Sequence, residues 1–64
     1  MTITDEQIRE LHQALLDEDI RSILGADVRE CRIALGHLPG MTKAREEAAR
    51  ARCAQIVNDR AAKR

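Results

Sequence analysis

The sequence predicts an all-α protein, a small bundle of three to four short helices stabilised by self-association. Apolar residues recur at helical spacing in several segments, and no segment alternates as a strand would. Capping residues precede three of these segments. The chain has 64 residues and no Phe, Trp or Tyr, so its core is small. Small cores stabilise a fold only marginally, and we therefore expect one domain over residues 1–64 that forms a homodimer.

The first predicted helix covers residues 5–16. Thr4 is a good N-cap, and Gln7 follows three residues later, which is the spacing of a capping box. Ile3 and Ile8 stand on either side of this cap at the positions of a hydrophobic staple. Asp5 supplies negative charge to the first turn, where the helix dipole favours it.

The middle of the chain permits two interpretations. The preferred one is a short helix over residues 19–24, a turn at "GAD", and a helix over residues 28–35 that is capped by Asp27 with Glu30 as its reciprocal partner. Gly36 then ends the helix at the C′ position. The alternative is one continuous helix over residues 19–35 with Gly25 inside it, at a cost of about 1 kcal/mol.

The segment "GHLPGMT" is a loop, because Gly and Pro both favour turns. Leu38 is expected to pack beneath it. Thr42 caps the last predicted helix, residues 43–61, which is rich in alanine and has high helix propensity. Its apolar stripe is thin and consists of Ala49, Cys53, Ile56 and Val57.

Charge is divided unevenly along the chain although the formal net charge is zero. Residues 1–36 carry a net charge of −4, and residues 37–64 carry +4. The asymmetry is consistent with two solvated surfaces, with attraction between the halves within or between chains, or with nucleic acid binding by the basic half.

No catalytic or cofactor-binding motif occurs, and a chain of this length has little room for a concave active site, so we expect no enzyme activity. The four residues that could ligate zinc are His12, Cys31, His37 and Cys53. They lie on separate segments without paired ligand spacing, so no metal site is expected. Both cysteines lie on apolar stripes and are predicted to be buried, reduced thiols.

The last helix is the predicted partner-binding surface. Arg45, Arg52 and Arg60 flank its thin apolar stripe, and Ile56 lies within the stripe. Arginine stems cover apolar surface while guanidinium groups reach carboxylates, which is typical of protein interfaces. The alternative is that these arginines pair with the acidic half of the same chain.

A helix-turn-helix motif is the alternative function. Ile20 and Leu24 would precede a turn at Gly25, and Cys31 and Ala34 would pack inward. The residues that would then face DNA are Arg29, Arg32 and Ile33. Arg21, at a position usually held by a small residue, and the acidic residues nearby count against this interpretation.

Three stretches resemble short helical proteins encoded by bacteriophages and prophages. These are "ITDEQIR" at residues 3–9, "ALG" at the end of 31–36, and "ARARCAQIVNDRA" at 49–61. The chain departs from those proteins in its longer joining loop, "GHLPGMTK". The resemblance implies a helical fold and an accessory role in a phage, acting by binding a host protein, a phage protein or operator DNA. It implies no catalytic residues.

No apolar run approaches the ~20 residues of a membrane span. The first residues are acidic and amphipathic, unlike the apolar region of a secretion signal. We therefore expect a cytoplasmic protein without a membrane partner, located in the host cytoplasm if a phage encodes it.

Overall fold

A computed structural model describes residues 3–18 and 25–62 of the chain. Within these residues the secondary structure is entirely helical: α1 spans Asp5–Glu18, α2 spans Ala26–Ala34 and α3 spans Lys43–Ala62. The predicted all-α class is confirmed. The predicted helix over residues 19–24 lies outside the described residues.

Helix α1 begins as the sequence predicts. The Thr4 backbone N–H donates to Gln7 Oε1 at 2.9 Å, and the Gln7 N–H donates to Thr4 Oγ1 at 3.1 Å, forming the capping box. Ile3 and Ile8 are both buried in the core, as a staple requires. The helix continues two residues beyond its predicted end, where Gln13 donates to Asp17 one turn later.

Helix α2 begins earlier than predicted. Gly25 is the N-cap, with an extended backbone at φ −77° and ψ 155°, and Asp27 is already inside the first turn. The proposed Asp27 cap is therefore wrong, as is the continuous helix over residues 19–35, because an extended residue interrupts it. The end is as predicted, since Gly36 adopts φ 76°. The Gly36 and His37 N–H groups donate to the Ile33 and Arg32 carbonyls, which is a Schellman motif.

Helix α3 is capped by Thr42, whose hydroxyl accepts from the Arg45 N–H at 3.1 Å. Its buried side chains are small except for Ile56: Ala49, Cys53 and Ala54 complete the set. The stripe predicted from the sequence contains three of these four residues and lacks Ala54. Small side chains let α2 approach α3 closely, and α2 packs more extensively on α3 than α1 does.

The core lies where the three described helices meet. Its buried members are Ile3, Ile8, Leu11, Val28, Cys31, Ile33, Ala34, Ala49, Cys53, Ala54 and Ile56. Leu38 is half-buried against this cluster, as expected for a side chain beneath the loop. In the described part of the chain, no helix is both long enough and apolar enough to cross a membrane.

The close α2–α3 contact predicts a sharp difference between two alanines of α3. Ala49 is fully buried and Ala51 is exposed. We expect Ala49→Leu to lower the free energy of unfolding by about 1–3 kcal/mol, because the added atoms force the helices apart. Ala51→Leu is the matched control and should change it by less than ~0.5 kcal/mol. Urea unfolding measures both, and equal effects would contradict the packing described.

Candidate functional site

Four arginines of α3 pair with acidic residues of α1 and α2. Arg45 pairs with Glu30, Arg50 with Asp5, Arg52 with Asp27 and Arg60 with Glu18. Each acid belongs to the acidic half of the sequence and each arginine to the basic half. The predicted attraction between the halves therefore occurs within one chain.

The positions of these pairs give the directions of the helices. Arg50 and Arg60 meet the first and last residues of α1, so α1 and α3 run in the same sense. Asp27 precedes Glu30 along α2, but its partner Arg52 follows Arg45 along α3. Helix α2 therefore runs opposite to α3. The bundle is an up-down-up arrangement.

The Arg45–Glu30 pair is the most enclosed of the four. Its two bonds are parallel, from Nη1 to Oε2 at 3.0 Å and from Nη2 to Oε1 at 2.5 Å, and the Glu30 side chain is only 19% exposed. Hydrogen bonding from Arg45 lowers the pKa of Glu30 below its usual range. Bidentate geometry makes this pair stronger than a typical surface ion pair.

Arg50 ties the last helix to the start of the first. Its Nη1 donates to Asp5 Oδ1 at 2.6 Å, and its Nη2 donates to the Ile3 carbonyl at 2.5 Å. The hydrogen bond from Arg50 lowers the pKa of Asp5. Arg50 was not among the predicted site residues. Its sequence position, one turn after Glu46 on the basic helix, does not distinguish it from the neighbouring arginines.

The predicted partner-binding residues are therefore largely engaged within the chain. Arg45, Arg52 and Arg60 each hold an acid, and Ile56 lies in the core with 7% of its surface exposed. The expectation that Ile56 contributes to an exposed stripe needs correction, because Ile56 belongs to the buried core cluster. Arg60 alone also borders an open groove.

That groove lies between α1 and α3 and has a volume of about 320 Å³. Leu11, Ala14 and Val57 supply apolar surface, while polar and charged atoms come from Gln7, Glu10 and Arg60. It exists because α1 and α3 make the least extensive contact of the three described helix pairs. Ala14 adds to the open space, since its side chain ends at Cβ.

The residues of the proposed helix-turn-helix are only partly placed as expected. Cys31 and Ala34 pack inward, and Arg29 and Arg32 are exposed. Ile33 is 1% exposed, so it does not face outward with the arginines, and that part of the prediction is wrong. Ile20 and Leu24 lie outside the described residues.

Cys31 and Cys53 meet at the centre of the α2–α3 contact. Both are free thiols without exposed surface, and their Sγ atoms are 3.8 Å apart. The adjacent Cys53 sulfur and burial raise the pKa of the Cys31 thiol. Both thiols are shielded from solvent and contribute packing atoms to the α2–α3 contact. His12 and His37 are on other segments, and no cluster of three metal-ligating side chains occurs among the described residues.

Searches against protein-family models, curated proteins and solved structures found no match to the chain.

The Arg45–Glu30 pair predicts a pH dependence of stability. A carboxyl whose pKa is lowered by folding stabilises the protein above the ordinary glutamate pKa, and this stability is lost as pH falls through the folded value. We expect Glu30→Gln to cost roughly 1 kcal/mol at neutral pH and to make acid unfolding below about pH 4.3 less steep. Glu47→Gln, exposed on α3, is the control. Acid titrations followed by circular dichroism measure both variants. Identical unfolding profiles for Glu30→Gln and Glu47→Gln would contradict the role of this pair.

The buried thiols generate a separate prediction. Cys53→Ser should lower the free energy of unfolding by roughly 1 kcal/mol or more, because a hydroxyl costs more to bury than a thiol. Ala51→Ser introduces the same group at an exposed position of the same helix and should have a smaller effect. Cys31→Ser should behave like Cys53→Ser in urea unfolding. A metal found by elemental analysis in the wild type and lost in either cysteine variant would overturn this assignment.

Proposed function

We propose that the chain is a small protein–protein interaction module that binds a helix of its partner in the groove between α1 and α3. The groove itself is the observation that carries the proposal. Its apolar floor and charged rim match the way amphipathic helices are recognised, with apolar anchors in the groove and polar contacts at the edge. The resemblance to phage-encoded proteins adds that the partner is a host or phage protein.

The charges at the rim favour a second copy of the chain as one such partner. Glu10 borders the groove on the α1 side, and Arg60 borders it on the α3 side. In a dimer whose two-fold axis runs along the groove, the α1 edge of one copy faces the α3 edge of the other, so Glu10 lies opposite Arg60, whose guanidinium also pairs with Glu18 of its own chain. Self-association would also cover the partly exposed Val57.

The ion pairs decide which variants test this proposal. Replacing Arg45, Arg52 and Arg60 together would remove contacts that hold α3 to α1 and α2, so a loss of binding would not separate interface from fold. Ala14→Gln is cleaner, because glutamine has good helix propensity and its side chain fills the groove. Ala51→Gln adds the same atoms to the exposed side of α3 and serves as the control.

We predict a homodimer. Light scattering at micromolar concentration should give about twice the chain mass of 7.2 kDa for the wild type and for Ala51→Gln. Ala14→Gln should give the monomer mass while its circular dichroism remains that of a helical protein. A wild-type monomer that unfolds cooperatively at high temperature would contradict self-association.

Binding to another protein is tested with the same variants. A tagged chain should retain its partners from a bacterial host lysate as wild type and as Ala51→Gln, and should lose them as Ala14→Gln. Partners retained equally by all three proteins would place binding on another surface, and α3 variants of exposed residues would then locate it.

DNA binding is the second candidate function, and one observation favours it. Arg29 and Arg32 are exposed on α2, and among the described residues neither takes part in an ion pair, whereas the α3 arginines do. Binding to phosphates weakens steeply as salt concentration rises, whereas an apolar groove is insensitive to salt. A salt series with a DNA duplex therefore distinguishes the two functions.

A further inference from the structure

A second opening, between α1 and the end of α2, collects cationic side chains. It has a volume of about 250 Å³ and is lined by Arg9, His12, Gln13, Arg32, Leu35 and His37. Both histidines of the 64-residue chain are here, together with two arginines from different helices. None of the lining residues is acidic.

The fold holds these groups together by two local devices. Arg9, His12 and Gln13 lie at i, i+3 and i+4 of α1 and therefore share one helix face. At the other wall, the Schellman motif turns the chain back so that the His37 N–H donates to the Arg32 carbonyl at 3.0 Å. His37 is thereby fixed next to the last turn of α2, which carries Arg32.

Two acids of α1, each about one turn along the helix from a lining residue, accept hydrogen bonds, while Glu6, three residues before Arg9, is exposed. Asp5, one turn before Arg9, accepts a hydrogen bond from Arg50. Asp17, one turn after Gln13, accepts from the Gln13 amide. Among the described residues, neither Arg9 nor Arg32 forms an ion pair.

We propose that this opening is a binding site for a phosphate group, in particular a phosphate monoester. Two guanidinium groups present planar forks that match phosphate oxygens, and imidazole N–H groups donate further hydrogen bonds. A phosphate monoester carries between one and two negative charges at neutral pH, which suits two arginines better than a single carboxylate does. The site lies on the α2 side of α1, apart from the groove between α1 and α3.

Inorganic phosphate is the probe for the first experiment. Because the chain has no Phe, Tyr or Trp, its histidine ring signals are the only aromatic ones in a carbon–proton correlation spectrum. At constant pH and ionic strength, phosphate should shift the ring signals of both histidines in a saturable manner. Chloride should not, and acetate should bind more weakly than phosphate.

Two variants and a control complete the test. Arg9→Gln and Arg32→Gln change exposed side chains and should each weaken phosphate binding about tenfold, as expected from the loss of a charge-assisted hydrogen bond. Arg29→Gln removes a cation of α2 that does not line the opening, and it should bind phosphate like the wild type.

Several results would contradict a phosphate site in this opening. Shifts that do not saturate, or that acetate reproduces at the same concentration, would overturn the assignment of a phosphate site. An Arg29→Gln variant that weakens binding as much as Arg32→Gln does would also overturn it, because the positive surface of α2 rather than the opening would then hold the anion. None of these results depends on the oligomeric state or on the groove between α1 and α3.

Discussion

The close contact between α2 and α3 is the constraint on which the rest of the structure depends. Cys31 on α2 meets Cys53 on α3 with 3.8 Å between the sulfur atoms, and Ala49 lies fully buried one turn away. The buried α3 side chains at this contact are small, so the two helices can approach closely. Side chains of one to two heavy atoms at these positions allow that approach.

Close approach also explains why so many charges on α3 are compatible with a packed helix. When α2 and α3 are near each other, Glu30 and Asp27 lie within reach of Arg45 and Arg52 on the borders of the contact. Partly exposed ion pairs contribute about 0–1 kcal/mol each, whereas burial of an aliphatic side chain such as Ile8 or Ile33 contributes roughly 1.5–3 kcal/mol. The apolar contacts therefore supply most of the stability, and the ion pairs join the helices at the borders of these contacts.

Much of the fold follows from local sequence patterns. The Thr4 capping box, the Thr42 cap and the Gly36 helix end are each decided by residues within a few positions of one another, and all three occur as predicted. The start of α2 differs from the prediction, because the spacing of "DVRE" also fits a capping box that begins at Asp27. Asp27 instead lies in the first helical turn, where Arg52 of a distant segment pairs with it. A contact with so distant a segment cannot be inferred from local spacing.

The surfaces available for binding were harder to predict for the same reason. Charge asymmetry indicated that the two halves attract, but sequence spacing cannot tell whether an arginine meets an acid of its own chain or of a partner. Within the chain, folding engages the α3 arginines that the sequence predicts to contact a partner. It also brings Arg9 and Arg32 to one opening from segments whose sequences show no relation.

Helix α1 lines both the groove beside α3 and the opening beside α2. Its Leu11 is buried, while the residues on either side of that anchor diverge: Glu10 and Ala14 face the groove beside α3, and Arg9 and His12 face the opening beside α2. Because α1 packs less on α3 than α2 does, the groove stays open there, and the Arg50 and Arg60 pairs span it at the two ends of α1. The close α2–α3 contact thus places the most extensive packing between the described helices on one side, and α1 borders both openings.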